Sequence, residues 1–365
     1  MRSDVPAAIA AALVRCNRPS LVFDLARIEA NVRAIAAAAR ASAVTVLFAA
    51  KSFPHPAVRA ICARHFAGFD VGSAGELAEV AALGARLISV VDPTGRAGLA
   101  EASAARMIVG CETVAQVRAA PPRAEIAIRI SASISGRDPA VGAVQDGSGH
   151  RRSRFGVDVA RTRARETIQA LAGAATGRPL GIHVHHGPVT ATSAERFAVT
   201  ATAVLEVARE AGVEPAFLDL GGAWHGIPDL ASALAELRAA IPAAIELVIE
   251  PGRVIVEGAG FACGAIAVAR ELDDRPLRVV ELSRICHLRW SQVELVGSAP
   301  HPGAGRTTLF VGPTCFEEDV LGEWTVEPAR VEAGTRIVVR NVSGYAVAWN
   351  SGFGGIPPAD VVMVE

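Results

Sequence analysis

Eight short apolar runs recur at fairly even spacing through the first 250 residues, and mostly helical patterns lie between them. They are 45–50 "TVLFAA", 66–71 "FAGFDV", 87–91 "LISVV", 107–109 "MIV", 125–131 "EIAIRIS", 180–185 "LGIHVH", 216–220 "AFLDL" and 246–250 "ELVIE". Runs this short read as strands. Residues 73–85, "SAGELAEVAALGA", open with Ser73 and Glu76 three apart, a capping box, and place Leu77, Val80 and Leu83 at helical spacing before Gly84. The stretch "ERFAVTATAVLEVAREAG" repeats the pattern with Phe197, Val204 and Ala208 and stops at Gly212. Strands that alternate with helices pair in parallel. Eight such units predict a closed (β/α)8 barrel, an α/β fold, with an open doubly wound sheet as the alternative.

The texture changes after Arg253. "VIVEGAGFACGAIAVA", "LRVVEL", "TTLFVG" and "RIVVRNVSGYAV" are β-rich and separated by Gly and Pro turns. We therefore expect a barrel over 23–253 and a second, all-β domain over 254–365. The Gly- and charge-rich stretch 132–152 reads as a mobile loop.

Composition narrows the function classes. The chain of 365 residues is 51% apolar and 20% charged with a net charge of −1, so it is globular and carries no basic tract. Nucleic acid and anionic membranes are poor partners for such a surface. Cys16, Cys62, Cys111, Cys263, Cys286 and Cys315 are scattered without a CxxC pair, which points to neither a zinc site nor a disulfide framework and fits a reducing cytoplasm. Asp4 and Arg15 interrupt the short apolar start, against a secretory signal. No run approaches the ~20 apolar residues of a membrane span.

Chemistry in barrels of this kind gathers at the C-terminal strand ends. Lys51, in "FAAKSFPHP", follows the first run directly and is the only lysine among 36 basic side chains. Arginine serves for surface charge, whereas a desolvated lysine can lose its proton and attack a carbonyl. A Schiff-base lysine and a drifted surface residue both fit at this point, because a coding bias towards Ala and Arg would itself deplete lysine. Asp70 lies near the end of the second run and His185 ends the sixth. Gly221 and Gly222 follow the seventh, and Glu250 ends the eighth, before Gly252 and Arg253. Glycines after the last two strands let backbone N–H groups approach a phosphate, and an arginine adds a charged fork. An amine, a carboxylate, an imidazole and a phosphate cradle at one barrel end are what pyridoxal phosphate needs. A metal site at "HVHH", with His183 and His185 on one strand face, is the weaker alternative, since no acidic or Cys ligand accompanies it at suitable spacing.

Taken in order, "FAAKSFPHP", "GFDVGSAGEL", "RRSRFGVD", "GIHVHHGP", "LDLGGAWHG", "IEPGRVIV", "VGPTCFEEDVL" and "NVSGYAVAWNSGF" resemble the landmarks of the fold-type III pyridoxal-phosphate decarboxylases, the ornithine and diaminopimelate decarboxylase family. They span roughly residues 20 to 358. The resemblance implies an alanine racemase-like barrel with a β domain that also takes in residues 1–22. It implies pyridoxal 5'-phosphate on Lys51, with His185 stacked on its ring and Glu250 on its pyridine nitrogen. It implies a phosphate held by Gly221, Gly222, Gly252 and Arg253 near Tyr345, the only tyrosine. It further implies a homodimer in which Cys315 reaches the partner's site. A carboxylate at position 250 keeps the pyridine nitrogen protonated and suits decarboxylation. Racemases of the same fold place an arginine there, so racemase or epimerase is the enzymatic alternative, and a non-catalytic cofactor-binding protein is the third reading.

The pattern departs from the family at two places. Phe316, followed by Glu317, Glu318 and Asp319, stands after Cys315 where ornithine-type enzymes have Asp and diaminopimelate-type enzymes have Glu. Pro188 stands where the family has a phosphate-contacting serine, a role that Thr190 could take. The segment "RICHLRWSQ", in the region that reads the substrate's far end, offers Arg284, His287 and Arg289 but no carboxylate. Arg289, His287, Phe316 and Glu317 are the candidate substrate contacts. A far end bearing a carboxylate, or a conjugated amino acid of the kind handled by siderophore-pathway members, fits this set better than a simple diamine precursor.

Overall fold

The computed structural model describes residues 5–96, 104–131, 155–159, 163–185, 194–297 and 305–365. The expected loop at 132–152, and Pro188 and Thr190, lie outside them. The chain divides into two compact units. One holds the residues up to Asn31, 52–58 and 255–365; the other holds 32–51 and 59–254.

The first strand, β1 (Ser20–Asp24), belongs to the former unit. The next eight close the barrel: β2 (Val44–Ala49), β3 (Gly68–Val71), β4 (Leu87–Val90), β5 (Arg106–Cys111), β6 (Glu125–Ile130), β7 (Leu180–Val184), β8 (Phe217–Asp219) and β9 (Glu246–Ile249). They pair in sequence order and in parallel, and β9 returns to β2 with Val44 opposite Leu247 and Val46 opposite Ile249. All eight apolar runs are therefore barrel strands, and the open sheet is excluded. Leu47, Leu87, Ile108, Ala127, Phe217 and Val248 form one buried cluster contributed by six of these strands. Gly181 makes that packing fit, because a Cβ there would lie 2.3 Å from the Phe217 ring. Burying a side chain of this size stabilises the fold by about 1.5–3 kcal/mol.

The helix after β3 spans Ala74–Ala81. Ser73 caps it, its hydroxyl accepting from the Glu76 N–H at 3.2 Å. The Glu76 carboxylate reaches back one residue further than a reciprocal box requires, taking the Gly72 N–H at 2.7 Å. Leu77 and Val80 are buried, but Leu83 lies beyond the helix end and is exposed. The second predicted helix covers Ala194–Glu210, with Phe197, Val204 and Ala208 buried and Gly212 in the left-handed region.

In the other unit, β10 (Gly260–Leu272), β11 (Arg275–Val280), β12 (Glu294–Leu295), β13 (Arg306–Val311), β14 (Val320–Val326) and β15 (Arg336–Arg340) form a mixed sheet in the order 12-15-10-11-13-14. β1 joins it antiparallel to β10 and parallel to β16 (Asp360–Val364). Asp273 and Asp274 both take positive φ, which a two-residue hairpin between β10 and β11 requires and which Asp tolerates. The sheet unit also carries a helix. A helix over Ala7–Arg15 buries Ile9, Ala12 and Leu13 against Val22, Phe261 and Cys263. The apolar start of the chain is this helix. Among the described residues no helix is long and apolar enough to cross a membrane.

The N-terminal barrel face is held by charge. The Arg106 guanidinium donates to Glu125 at 2.7 and 2.8 Å and to Glu246 at 3.0 and 2.8 Å. Thr45 on the closing strand donates to the same Glu246 at 2.7 Å. Burial alone would raise the Glu246 carboxyl, but these hydrogen bonds and the Arg106 charge together bring it below its ordinary value. A depressed carboxyl contributes stability that is present above the unfolded-state value and lost as pH falls through the folded one. Arg106→Ala should therefore cost ~2 kcal/mol near neutral pH. Its deficit should shrink as pH falls below the ordinary glutamate value of about 4.3 and on through the lower folded value of Glu246. Denaturant unfolding at pH 7 and pH 3.5 checks both values.

Candidate active site

The C-terminal barrel face contrasts with that satisfied base. Lys51 sits in a short 3-10 turn, Ala50–Ser52, directly after β2, and its ammonium contacts Asp70 Oδ2 at 2.7 Å. Asp70 is fully buried near the end of β3, whereas the Lys51 side chain is 44% exposed. The carboxylate thus fixes the position of an amine that solvent and ligands can reach. Asp70 Oδ1 has no partner.

His185 follows β7 and is exposed. The Gly222 N–H donates to its Nδ1 at 3.2 Å, which leaves the ring proton on Nε2 and fixes the ring. The glycine pair makes that approach sterically feasible. Gly221 has φ +63°, and a Cβ there would lie 2.6 Å from His185 Nδ1; one at Gly222 would lie 3.1 Å from the Glu250 carbonyl. The loop is tied down from both sides. Asp219 Oδ1 accepts from Gly221 N–H at 2.9 Å, and the Trp224 indole N–H donates to the Gly221 carbonyl at 2.7 Å. Trp224 stacks on Phe197 with ring centres 4.0 Å apart, and Ala223, between Gly222 and Trp224, is held at φ +72°. Strain of this kind at a non-glycine residue gathers at functional loops.

Glu250 is buried just past β9, and its backbone N–H donates to the Gly221 carbonyl at 2.8 Å. Its Oε1 has no hydrogen-bond partner. Burial, and then the nearby Asp219 and Asp70, push this carboxyl well up, with Lys51 opposing. Gly252 is buried and Arg253 half-buried. Burial, and then the Arg253 charge, lower the basicity of His225, which places Arg253 near "GGAWHG". His183 does not join His185 in a metal face. It is buried with both ring nitrogens unpartnered, and its nearest acids are Asp219 and Glu250.

The remaining candidates lie in the other unit. Tyr345 opens a one-turn helix and meets the Trp290 ring edge-on at 5.0 Å. The preceding Gly344 lies so close to the segment after Lys51 that a Cβ would be 2.6 Å from the Ser52 carbonyl. Cys315, Phe316 and Glu317 are exposed in the turn between β13 and β14. That turn is organised by Asp319, which is 2% exposed. Asp319 accepts from the Ser283 hydroxyl, the Arg284 N–H, the Thr314 N–H and the Thr314 hydroxyl at 2.6–3.2 Å. Arg289 is exposed with its guanidinium 4.8 Å over the Trp349 ring. His287 departs from its expected place at a substrate. It is fully buried, Nδ1 accepting from Ser283 N–H at 3.1 Å and Nε2 facing the Pro357 carbonyl at 3.0 Å, so it braces the loop and has no free nitrogen. Arg284 is likewise engaged, on the Ser291 carbonyl.

The barrel residues fit pyridoxal phosphate on their own geometry: an accessible amine, a buried acid with an orphan oxygen, and glycines whose side chains would fill the space beside His185. A closed parallel barrel with an amine at one strand end, in a chain that also carries a separate mixed sheet, defines a cofactor-dependent enzyme of the barrel-plus-sheet type. Residues 25–257 match the family model described as "Pyridoxal-dependent decarboxylase, pyridoxal binding domain", and the chain belongs to that family. Among curated relatives it is 25% identical over 376 residues to a diaminopimelate decarboxylase of Pseudomonas fluorescens, covering 95% of this chain and 87% of the relative. A diaminopimelate decarboxylase of Pseudomonas aeruginosa is 26% identical over 96% of this chain and 88% of its own. Its fold is similar to the lysine/ornithine decarboxylase of Vibrio vulnificus complexed with cadaverine (TM-score 0.77, 19% identity, 98% and 97% of the two chains). It is also similar to the Paramecium bursaria Chlorella virus arginine decarboxylase bound to agmatine (TM-score 0.76, 17% identity, 96% of each chain). The protein is thus a pyridoxal-phosphate-dependent amino-acid decarboxylase.

Trp224 escaped the sequence reading. Its signal was a tryptophan two residues past a glycine pair at a strand end, which marks an aromatic clamp only once Phe197 is known to lie beneath it.

Gly221→Ala must move the His185 ring or leave the left-handed region. Cofactor affinity should fall at least ~10-fold, about 1.4 kcal/mol. Absorbance titration of the cofactor-free protein with pyridoxal phosphate measures it.

Proposed function

We propose that this decarboxylase acts on an amino acid whose far end carries a carboxylate or a conjugated group instead of a free amine, such as a siderophore or other specialised precursor. The observation that carries this reading is the state of Asp319. Of the three acids that follow Phe316, Asp319 is buried and fully engaged in holding its own turn, while Glu317 and Glu318 are exposed. Arg289, stacked on Trp349, instead offers a solvent-facing guanidinium suited to carboxylate. Phe316 at 49% exposure and Phe353 at 50%, 6.1 Å apart, offer apolar surface. Glu317 keeps its role as a candidate contact, and His287 does not.

The residue roles follow the same reading. Lys51 carries the cofactor covalently, with Asp70 holding its amine in place. His185 presents its ring face, Glu250 meets the pyridine nitrogen, and Gly221, Gly222, Gly252 and Arg253, with Tyr345, bind the phosphate. Bound pyridoxal phosphate supplies the electron sink for the pair released when the bond from Cα to the carboxylate breaks. Cys315 returns a proton to Cα from the partner subunit of a homodimer, so that the amino acid and one proton yield CO2 and the amine.

Screening amino acids and their citryl or acyl conjugates for CO2 release tests the substrate class. Turnover of ornithine or lysine above that of every carboxylate-bearing candidate would overturn it. Lys51→Ala should abolish the covalent adduct trapped by borohydride, since no other side-chain amine exists to replace it. A surviving side-chain adduct would remove Lys51 from its role. Mixing Lys51→Ala with Cys315→Ala tests the shared site. Random reassortment of a twofold dimer leaves one intact site in each mixed dimer, so about a quarter of wild-type activity should return. Verified subunit exchange without recovery would place both residues in one chain's site.

A further inference from the structure

Three polar side chains on consecutive barrel strands converge, leaving four atoms without hydrogen-bond partners. His183 on β7, Asp219 on β8 and Glu250 just past β9 each bring a ligand atom within 4.8 Å of the others. Their exposures are 2%, 1% and 2%. Both ring nitrogens of His183, Asp219 Oδ2 and Glu250 Oε1 have no partner. Asp219 Oδ1 is already committed to the Gly221 N–H at 2.9 Å, so its second oxygen is the one turned to the cluster.

Two carboxyl groups this close in an apolar enclosure cannot both be ionised at low cost. The groups that face them are Asp70 on β3, Lys51 just past β2, Arg129 on β6, and His183 and His185 on and after β7. Lys51 is paired with Asp70 at 2.7 Å. His183 brings no charge, because burial, then Arg129, His185 and Lys51 hold it neutral; its 4.0 Å approach to Glu250 is not an ion pair. Lys51, already paired with Asp70, only partly offsets the second carboxylate, so among the described residues a proton completes the neutralisation.

We propose that Asp219 is a positioning residue for Glu250: the two carboxyls share one proton beside neutral His183, and that hydrogen bond aims Glu250 at the cofactor's ring nitrogen. The proton stays on the pair while the ring nitrogen is absent. Burial, opposed by the Gly221 N–H and reinforced by Asp70, lifts Asp219 to about 7, in keeping with this. The part that concerns the cofactor rests on the role given to Glu250 above.

The test compares wild type, Asp219→Asn and Asp219→Leu as full chains. A carboxyl raised on folding imposes a cost that is absent below its unfolded value near 4 and fully present above about 7. The cofactor-free wild type should therefore lose thermal stability as pH rises from 5 to 8.5. Asp219→Asn cannot ionise and keeps a donor for Glu250. It should melt about 3 °C or more above wild type at pH 8.5 and within about 1 °C of it at pH 4. Parallel pH profiles for the two would overturn the shared proton. In the second arm, Asp219→Asn should bind pyridoxal phosphate within about 3-fold of wild type, and Asp219→Leu at least about 10-fold more weakly. Equal weakening by both would overturn the positioning role. If wild type takes up no pyridoxal phosphate, the role of Glu250 fails while the melting profiles still decide the proton.

Discussion

Closure of β9 onto β2 is the constraint on which the rest of the barrel depends. A parallel strand leaves every residue at its C-terminal end facing the same side, and closure turns that side into a ring. Lys51 and Glu250 are almost 200 positions apart in the chain, yet they follow the two strands that meet at the seam. The seam continues past the ladder, where the Ala49 N–H donates to the Pro251 carbonyl at 3.3 Å. One hydrogen bond thus links the residue two before Lys51 to the residue after Glu250. Any loosening there changes the spacing between the amine and the acid, whatever happens to either side chain.

The two faces of the ring treat polar groups in opposite ways. At the N-terminal face Arg106, Glu125, Glu246 and Thr45 satisfy one another, as stability demands. At the C-terminal face Asp70, His183, Asp219 and Glu250 are buried with at least one polar atom each left over. Each such atom costs about 1–3 kcal/mol. A fold that tolerates this at one end while avoiding it at the other is arranged for a ligand that completes the set. This asymmetry, more than any single motif, marks the face where the chemistry takes place.

The fold was legible because parallel strands are short, apolar and bounded, and eight of them leave few alternatives. The start of the chain was placed with the sheet unit only by the resemblance, and its helix was not legible, because its Ile9, Ala12 and Leu13 find their partners on β1 and β10, more than 200 residues away for Phe261. The site residues of the barrel stood out by position, at strand ends. Asp219 did not, since one residue inside a strand it reads as an alternation defect, and only the register opposite His183 shows what it faces. His287 misled for a related reason. A histidine beside two arginines in a loop looks like a reader of substrate, and nothing local reveals that Ser283 and Pro357 occupy both its nitrogens.

Asp319 shows how an acid beside a departure from a family pattern can be spent on structure. The last of the three acids after Cys315 lies four positions on, and the turn folds around it: Gly312 gives its N–H to the Asp319 carbonyl at 2.7 Å, and a Cβ on Gly312 would lie 2.2 Å from the carboxylate. Moving that acid outwards to meet a ligand would strand the Ser283 and Thr314 hydroxyls and two backbone N–H groups, at several kcal/mol in all. The turn therefore presents Cys315 and Phe316 on a rigid support while withholding its charge. A substrate that arrives there meets a thiol and an aromatic ring, and the acidic groups within reach are Glu317 and Glu318 on the open side of the turn.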